Sequence, residues 1–168
     1  MKIAIMGYVG SGKTYLSRYL SEKYEIPVLH LDEIYFDKNW RPVEKSVVLD
    51  QTADFMGKDG WIIDGFYSDL LMKERLEKAD MIILLLLPRL TCLIRMLRRT
   101  KSRVQEGYKN DLNWWFVKFT LFGCRTKKRQ QTYSGIALDH RDKTVVLRSR
   151  RQVDAFLTSL DIKQSHEE

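Results

Sequence analysis

Residues 7–14 read GYVGSGKT, and this stretch decides the fold of the chain. They match the pattern G-x-x-x-x-G-K-[ST], in which backbone N–H groups surround phosphates, the lysine reaches the β- and γ-phosphates and the hydroxyl binds Mg²⁺. The pattern belongs between a strand and a helix. Residues 2–6 form a short apolar run that suits a buried strand, and Thr14 opens a helix-like stretch. The sequence therefore predicts a nucleotide phosphate site near its start.

A simpler interpretation is that the three glycines only form a tight turn, because glycine tolerates positive φ. That interpretation leaves Lys13 and Thr14 unexplained, whereas phosphate binding accounts for both. The helix N-terminus behind the loop adds free N–H groups and a favourable dipole for an anion. We expect the phosphates to contact Gly7, Val9, Gly10, Ser11, Gly12, Lys13, Thr14 and Tyr15.

The composition predicts one ordinary globular domain over residues 1–168. Of these residues 44% are hydrophobic and 30% charged, which excludes a disordered chain. The longest apolar stretch, residues 81–88, is too short to span a bilayer, and the N-terminus lacks a signal-peptide pattern. Cys92 and Cys124 are isolated and lack metal-ligand spacing. We therefore expect a cytoplasmic protein with reduced thiols and no membrane partner.

The positive charge is concentrated in one segment. The net charge is +7, yet residues 89–129 hold twelve Lys and Arg against two Asp and Glu, so the remainder is net negative. Such a segment fits a solvated helical face, a clamp for polyphosphate or a nucleic-acid contact surface. The sequence leaves these three interpretations open.

Strand-like and helix-like stretches alternate along the chain. The strand-like runs are residues 2–6, 26–31, 61–64, 81–87 and 144–147. Apolar residues at helical spacing form three stripes between or after them: Leu16, Tyr19 and Leu20; Leu90, Leu93, Ile94 and Leu97; Val153, Phe156, Leu157 and Leu160. This alternation predicts a parallel sheet covered by helices on both faces, with the ligand at the carboxyl ends of the strands.

Polar residues follow two of those strands. Asp64 comes at the end of the third strand, where a carboxylate beside a phosphate loop binds Mg²⁺ directly or through water; an Asp-Gly turn is the alternative. Asp32 follows the second strand, where it orients or deprotonates an acceptor hydroxyl, caps a helix, or does both. His30 is interpreted as a packed or hydrogen-bonded core residue.

With these motifs the chain resembles the adenylate-kinase-like P-loop kinases, and within them the DNA topology modulation protein branch. The resemblance spans nearly the whole chain. Besides the loop, it rests on HLD at residues 30–32, NWRP at 39–42, WIIDGF at 61–66, LPR at 87–89 and CLIR at 92–95, followed by Arg98 and Arg99. Only the phosphate loop is strongly specific, and the other pieces gain weight from their order.

The resemblance implies a five-stranded parallel sheet in the order 2-3-1-4-5, with ATP and Mg²⁺ bound at the first loop. It also implies a lid insertion over residues 99–135 that closes over the phosphates. In this scheme Lys13, Asp32, Arg99 and Arg103 are catalytic, and Thr14 and Asp64 bind the metal. Further contacts to ATP are assigned to Arg95, Arg98, Arg99, Ser149 and Arg150.

The chain departs from adenylate kinases after its third strand. There Tyr67 and Ser68 replace a Pro-Arg pair whose arginine grips a monophosphate acceptor. We therefore predict a kinase whose acceptor is not identified by the sequence, with a monomer or homodimer both open. A nucleic-acid-associated protein that modulates DNA topology and a simple ATPase are the alternatives.

An aromatic stretch lies inside the predicted lid. Residues 111–123 read DLNWWFVKFTLFG, and as a helix they are apolar nearly all round. Such a helix needs a partner surface, and packing against the lid and core is the favoured interpretation. A subunit interface, an acceptor pocket and a single-strand nucleic-acid platform are the alternatives.

Overall fold

The computed structural model describes residues 1–37, 41–105 and 114–164, apart from the side chains of 101–105 and 162–164. Its strands are β1 Lys2–Gly7, β2 Val28–His30, β3 Trp61–Asp64, β4 Met81–Leu85 and β5 Thr144–Leu147. Its helices are α1 Lys13–Tyr24, α2 Leu31–Tyr35, α3 Lys45–Met56, α4 Met72–Lys78, α5 Arg89–Gln105, α6 Trp114–Leu121, α7 Lys127–Asp139 and α8 Arg150–Gln164. A 3-10 turn, Gly123–Arg125, joins α6 to α7.

The five strands form one parallel sheet in the order β2-β3-β1-β4-β5. β1 is central: Ile5 pairs with Asp64 of β3 on one side and with Ile83 of β4 on the other. The predicted sheet order is confirmed. Because all strands run the same way, the loops after β1, β2 and β3 meet at one edge of the sheet.

Each face of the sheet buries an apolar layer. Alternate residues of β1 divide between them: Ala4 and Met6 pack into the layer that includes Tyr133 of α7, while Ile3 and Ile5 pack with Leu16 and Leu20 of α1. Successive side chains of a strand point to opposite faces, which explains the division. Helices therefore cover both faces, as predicted.

The second and fourth strands are shorter than predicted. β2 covers Val28–His30 instead of residues 26–31, because Pro27 has no N–H and Leu31 already begins α2. β4 ends at Leu85 instead of residue 87. The early end of β2 places Asp32 in the first turn of a helix rather than at the tip of a strand.

The apolar stripe predicted for α5 faces the wrong way. Leu90, Ile94 and Leu97 are exposed, and the side chains buried from this helix are Cys92 and Met96. Helical spacing identifies a shared face, but it does not say whether that face meets the core. The expectation that this stripe covers the sheet was wrong.

The aromatic helix is only partly packed. In α6, Thr120 is buried and its hydroxyl lies 3.2 Å from the Met96 sulfur of α5. Trp114 and Trp115 are 69% and 67% exposed. The favoured interpretation of packing is therefore right for the end of the helix and wrong for its beginning; residues 111–113 lie outside the described residues.

The predicted lid, residues 99–135, includes the end of α5, all of α6 and the start of α7, and residues 106–113 lie outside the description. Cys92 and Cys124 are both buried free thiols, and burial raises the pKa of Cys92. Within residues 1–37, 41–105 and 114–164, no helix combines the length and apolarity that bilayer crossing requires.

Candidate functional site

The loop between β1 and α1 has the geometry of an anion cradle. Gly10 and Gly12 have φ of 74° and 97°, in the left-handed region that glycine tolerates. Gly12 caps α1 without any side-chain hydrogen bond, and the helix bonds begin with the Leu16 N–H donating to the Gly12 carbonyl. The N–H groups of the first turn are thus left without a helical partner, which is the arrangement that binds phosphate.

Helix α5 packs directly on this loop. A Cβ atom on Gly10 would lie 2.5 Å from the Cys92 carbonyl oxygen, so only glycine fits. Arg95 Nη1 donates to the Ser11 carbonyl oxygen at 2.7 Å. The structure thus brings Arg95 to the loop, where the sequence placed an ATP contact.

Two polar groups in the loop are suited to a ligand. Lys13 Nζ lies across the loop and donates to the Tyr8 carbonyl at 3.2 Å. Ser11 Oγ is buried and, among the described residues, has no hydrogen-bond partner. A buried hydroxyl without a partner is costly, and a phosphate oxygen in the cradle would be able to supply one.

Asp64 lies beside the loop at the end of β3, and its side chain is almost completely buried. Its Oδ2 accepts a hydrogen bond from Ser17 Oγ at 2.8 Å, and His30 Nδ1 lies 2.9 Å from the same oxygen. Both contacts fall on one oxygen, and Oδ1 has no partner within the described part of the chain. Asp64 is therefore held rigidly with one oxygen available.

His30 is the hydrogen-bonded core residue that the sequence predicted. The hydrogen bond to Asp64 raises the pKa of His30 above its ordinary 6.5, while partial burial opposes that rise. The imidazole fixes the carboxylate and contributes positive charge next to it when protonated. Ser17 was missed by sequence reasoning, although it is a polar residue on the buried side of α1, between Leu16 and Leu20.

Asp32 is exposed in the first turn of α2. Its Oδ1 accepts a 2.6 Å hydrogen bond from the Tyr67 hydroxyl, and the Tyr67 ring stacks on Tyr35 with centroids 4.7 Å apart. Burial is the main cause of a raised pKa of Tyr67, and the hydrogen bond to Asp32 raises this pKa further. The phenol therefore stays protonated at neutral pH. The carboxylate is thus positioned by the very residue that departs from the adenylate kinase pattern.

A buried arginine holds the loop that carries Tyr67. The Arg75 side chain is fully buried in α4 and donates to three backbone carbonyl oxygens, those of Gly65, Tyr67 and Leu70. Burial lowers the pKa of Arg75 to about 10, which leaves it charged at neutral pH. No sequence signal marks this role, because Arg75 lies in an ordinary charged helix, MKERLEK.

The lid arginines divide into two groups. Arg98 and Arg99 are exposed on α5 and, among the described residues, make no hydrogen bond or ion pair. Arg103 belongs to the backbone of α5, but its side chain lies outside the description. The structure does not bring Arg98 and Arg99 to the loop, and the predicted roles of all three arginines stay predictions.

Two other arginines reach the site and were missed individually by the sequence analysis. The Arg125 guanidinium lies 3.8 Å from the ring centroid of Tyr8 in the loop, and its Nη2 donates to the Leu87 carbonyl at 2.7 Å. Arg129 lies 4.3 Å from the ring of Phe66, just after β3. In the sequence both were only members of a basic run.

Ser149 and Arg150 lie at the start of α8. Ser149 Oγ accepts from the Gln152 N–H at 3.2 Å, as a helix cap does, and Arg150 Nε lies 3.7 Å from Asp154 Oδ2. Their predicted contact with the ATP base stays a prediction.

Comparison with known proteins supports the fold. No family model matches the chain, and no curated protein sequence matches it. Solved structures do. A gluconokinase from Sinorhizobium meliloti 1021 matches at 16% identity and TM-score 0.55, covering 99% of this chain and 97% of its own. A shikimate kinase from Bacteroides thetaiotaomicron matches at 16% identity and TM-score 0.55, covering 98% of both chains.

An uncharacterized protein from Eubacterium ventriosum ATCC 27560 matches at 18% identity and TM-score 0.52, covering 100% of this chain and 99% of its own. The chain has the fold of the P-loop kinases. At this identity the likeness concerns the fold alone.

Proposed function

We propose that this protein is an ATP-dependent, Mg²⁺-dependent phosphotransferase that acts on a hydroxyl group of a small molecule. The observation that carries the proposal is the uncapped first turn of α1 behind the glycine loop, with Lys13 across that loop. Phosphoryl transfer depends mainly on positioning and electrostatics, so a site without a covalent nucleophile is sufficient.

The donor side is assigned to the loop and α5. Lys13 exchanges its contact with the Tyr8 carbonyl for the β- and γ-phosphates, and its charge stabilises the transferred group. The contact of Arg95 with the Ser11 carbonyl supports the assignment of its guanidinium to the triphosphate. Arg98, Ser149 and Arg150 complete the assigned ATP contacts.

The available oxygens fit Mg²⁺, which prefers hard ligands and usually keeps several waters beside one or two protein groups. The Thr14 hydroxyl and Asp64 Oδ1 have no hydrogen-bond partner among the described residues. No three His, Cys, Asp or Glu side chains in that part of the chain cluster as a metal cage. When bound, the ion neutralises phosphate charge, and Thr14 and Asp64 hold it.

The acceptor side is assigned to Asp32. Its Oδ1 is engaged by Tyr67, which leaves Oδ2 to accept a hydrogen bond from the acceptor hydroxyl and to receive its proton. Arg75 fixes the intervening loop through three carbonyls, so the Tyr67–Asp32 contact is preorganised. The missing Pro-Arg pair argues against a nucleoside monophosphate as the acceptor.

The arginines supply the remaining positive charge. We assign Arg99 and Arg103 to the reacting phosphoryl group after closure of the lid, residues 99–135. Arg125 and Arg129 are added on the geometry, because they already lie over Tyr8 and Phe66 at the ends of β1 and β3. A guanidinium stays charged and grips phosphate or carboxylate with two bonds, which suits either role.

Titration calorimetry with ATP and Mg²⁺ tests the donor site. We expect wild type to bind and Lys13→Ala to lose about tenfold or more in affinity, because a charge-assisted phosphate contact is removed. Lys73→Ala is the matched control, since this exposed lysine of α4 makes only a long surface ion pair. No heat for wild type, or equal heats for wild type and Lys13→Ala, would contradict the proposal.

A screen of ADP release against sugars, sugar acids, polyols and nucleosides identifies the acceptor. Turnover that an acceptor stimulates excludes the simple ATPase.

The nucleic-acid-associated alternative, which the DNA topology modulation branch suggests, draws on the basic residues of α5 and α7. It requires DNA affinity that falls steeply with salt.

A further inference from the structure

Large apolar side chains are exposed mainly on two helices. The described residues hold ten such side chains, and six of them belong to α5, α6 and the residue after α6. We call these six the α5–α6 surface: Leu90, Ile94, Leu97, Trp114, Trp115 and Phe122. Exposed apolar side chains are ordinary when scattered, but a concentration of them marks an interaction site.

The two helices form an antiparallel pair. Thr120 contacts Met96, while Phe122 lies 5.2 Å beneath the Arg89 guanidinium, so the end of α6 lies along the first half of α5. Leu90, Ile94 and Leu97 follow helical spacing and share one side of α5, opposite to the buried Cys92 and Met96. The three exposed aliphatic side chains of α5 therefore share one side of that helix.

Within residues 89–105 and 114–135, every charged residue of α5, α6 and the start of α7 is basic. Residues 89–105 and 114–135 contain eleven Lys and Arg and no Asp or Glu. The Arg89 guanidinium lies 5.2 Å from the ring centroid of Phe122, and Lys118 Nζ lies 5.7 Å from the ring centroid of Trp114. Aliphatic and tryptophan side chains edged by Lys and Arg are the composition of helices that lie in the interface of an anionic bilayer.

We propose that the α5–α6 surface binds reversibly to a bilayer that contains anionic phospholipid. The apolar side chains enter the boundary between headgroups and acyl chains, and Arg89 and Lys118, which lie against Phe122 and Trp114, contact lipid phosphates. This revises the expectation of no membrane partner, which came from the lack of a spanning segment. The proposal does not depend on the proposed kinase activity.

Charge and shape favour this occupant over two others. In a second copy the same surface, whose described charges are basic, would face itself and bring like charges together at a cost. Single-stranded nucleic acid needs free aromatic faces, whereas half of this surface is Leu and Ile, and Trp115 already stacks on Phe119 with centroids 5.2 Å apart. Hydrocarbon accepts all six side chains.

Co-sedimentation with vesicles tests the proposal, using phosphatidylcholine alone and phosphatidylcholine mixed with phosphatidylserine. We expect the full chain to bind only the mixed vesicles, with a blue shift of tryptophan fluorescence and weaker binding at high salt. The double variant Leu90→Gln and Trp114→Gln should bind at least about tenfold more weakly. Leu138→Gln, an equally exposed leucine of α7, should bind as wild type does.

Four results would overturn the proposal: no binding to mixed vesicles, equal binding to both vesicle types, equal losses in the double variant and in Leu138→Gln, or tighter binding of an oligonucleotide that the double variant loses. Dimerisation in light scattering that the double variant abolishes, without vesicle binding, would assign the surface to a second copy. Circular dichroism shows whether each variant is folded, and all substituted positions are exposed.

Discussion

Three separate parts of the chain meet at the carboxylate of Asp64. Ser17 from α1 and His30 from β2 both contact its Oδ2, so a loss at any of the three residues disturbs the other two. Buried polar groups of this kind are costly when they are incompletely paired. The contacts of Ser17 and His30 therefore determine how rigidly Asp64, the proposed Mg²⁺ ligand, is held.

The raised pKa of His30 makes part of the stability dependent on pH. Protonated His30 is favoured in the folded state, so its contribution is fully present below the ordinary value of 6.5 and is lost as the pH rises through the folded pKa. We expect the free energy of unfolding, measured with urea from about pH 5.5 to about pH 8.5, to fall less in His30→Gln than in wild type.

His140→Gln is the control for that measurement, because this residue ends α7 away from Asp64. Its pH dependence should follow wild type. If the unfolding free energy of His30→Gln falls with pH as steeply as that of wild type, the raised pKa of His30 does not contribute to the pH dependence of stability.

A second prediction concerns the contribution of the buried Arg75 side chain to stability. Arg75→Met keeps the volume of the side chain but leaves three carbonyl oxygens without their donor, so we expect a loss of about 3 kcal/mol or more in urea unfolding. Lys73→Met, on the exposed side of the same helix, should change stability by less than about 0.5 kcal/mol. Equal losses would show that the three contacts are not what makes Arg75 important.

Among the contacts between elements, the one between the glycine loop and α5 connects the proposed nucleotide site to the helix whose end begins the predicted lid. Gly10 lies against the Cys92 carbonyl, and Arg95, one turn further along α5, bonds to Ser11. A movement of α5 therefore moves groups that contact the loop. The packing of α5 on the loop also explains why position 10 cannot accept a residue larger than glycine, whether or not a ligand is bound.

Gly10→Ala tests the contact. Its φ of 74° and the 2.5 Å approach to the Cys92 carbonyl both oppose a Cβ atom, so we expect a loss of about 2 kcal/mol or more in unfolding free energy, with weaker ATP binding. Gly135→Ala is the matched control: nothing lies within 4 Å of a Cβ there, and the residue is helical. It should stabilise the protein by about 0.5–1 kcal/mol. Similar effects of both substitutions would contradict a close loop–helix contact.

At the scale of the whole molecule, two apolar layers hold the sheet and so hold the loops at its edge. One layer joins α1 and α8 to the sheet, and the other joins α7 and the helices between β2 and β4. The site is built from loops after β1, β2 and β3, so its geometry depends on both layers.

Leu20→Ala tests how firmly α1 is anchored. Leu20 is fully buried against the sheet, so the substitution should cost about 2–5 kcal/mol in urea unfolding. Leu138→Ala, with 72% of its side chain exposed, should cost less than about 0.5 kcal/mol. Comparable losses at both positions would mean that α1 does not depend on this layer.

The local sequence pattern predicted the bounds of an element well where the apolar residues fitted only one type of secondary structure. β1, β3 and β5 are continuous apolar runs, and their bounds lie within a residue of those predicted. α5 shows the limit, because it is amphipathic with its larger aliphatic side chains outside and Cys92 and Met96 inside. Periodicity measures how side chains are distributed around an axis, and only the position of neighbouring elements selects the buried side.

Short-range spacing and backbone conformation were enough to predict the glycine loop, the parallel sheet and the carboxylates after β2 and β3. The residues that join them from elsewhere in the chain could be identified only from the packed fold: Ser17 on Asp64, Tyr67 on Asp32, Arg75 on three carbonyls, and Arg125 over Tyr8. Such pairs are separated by tens of residues, and they form only when the packed sheet brings its loops to one edge.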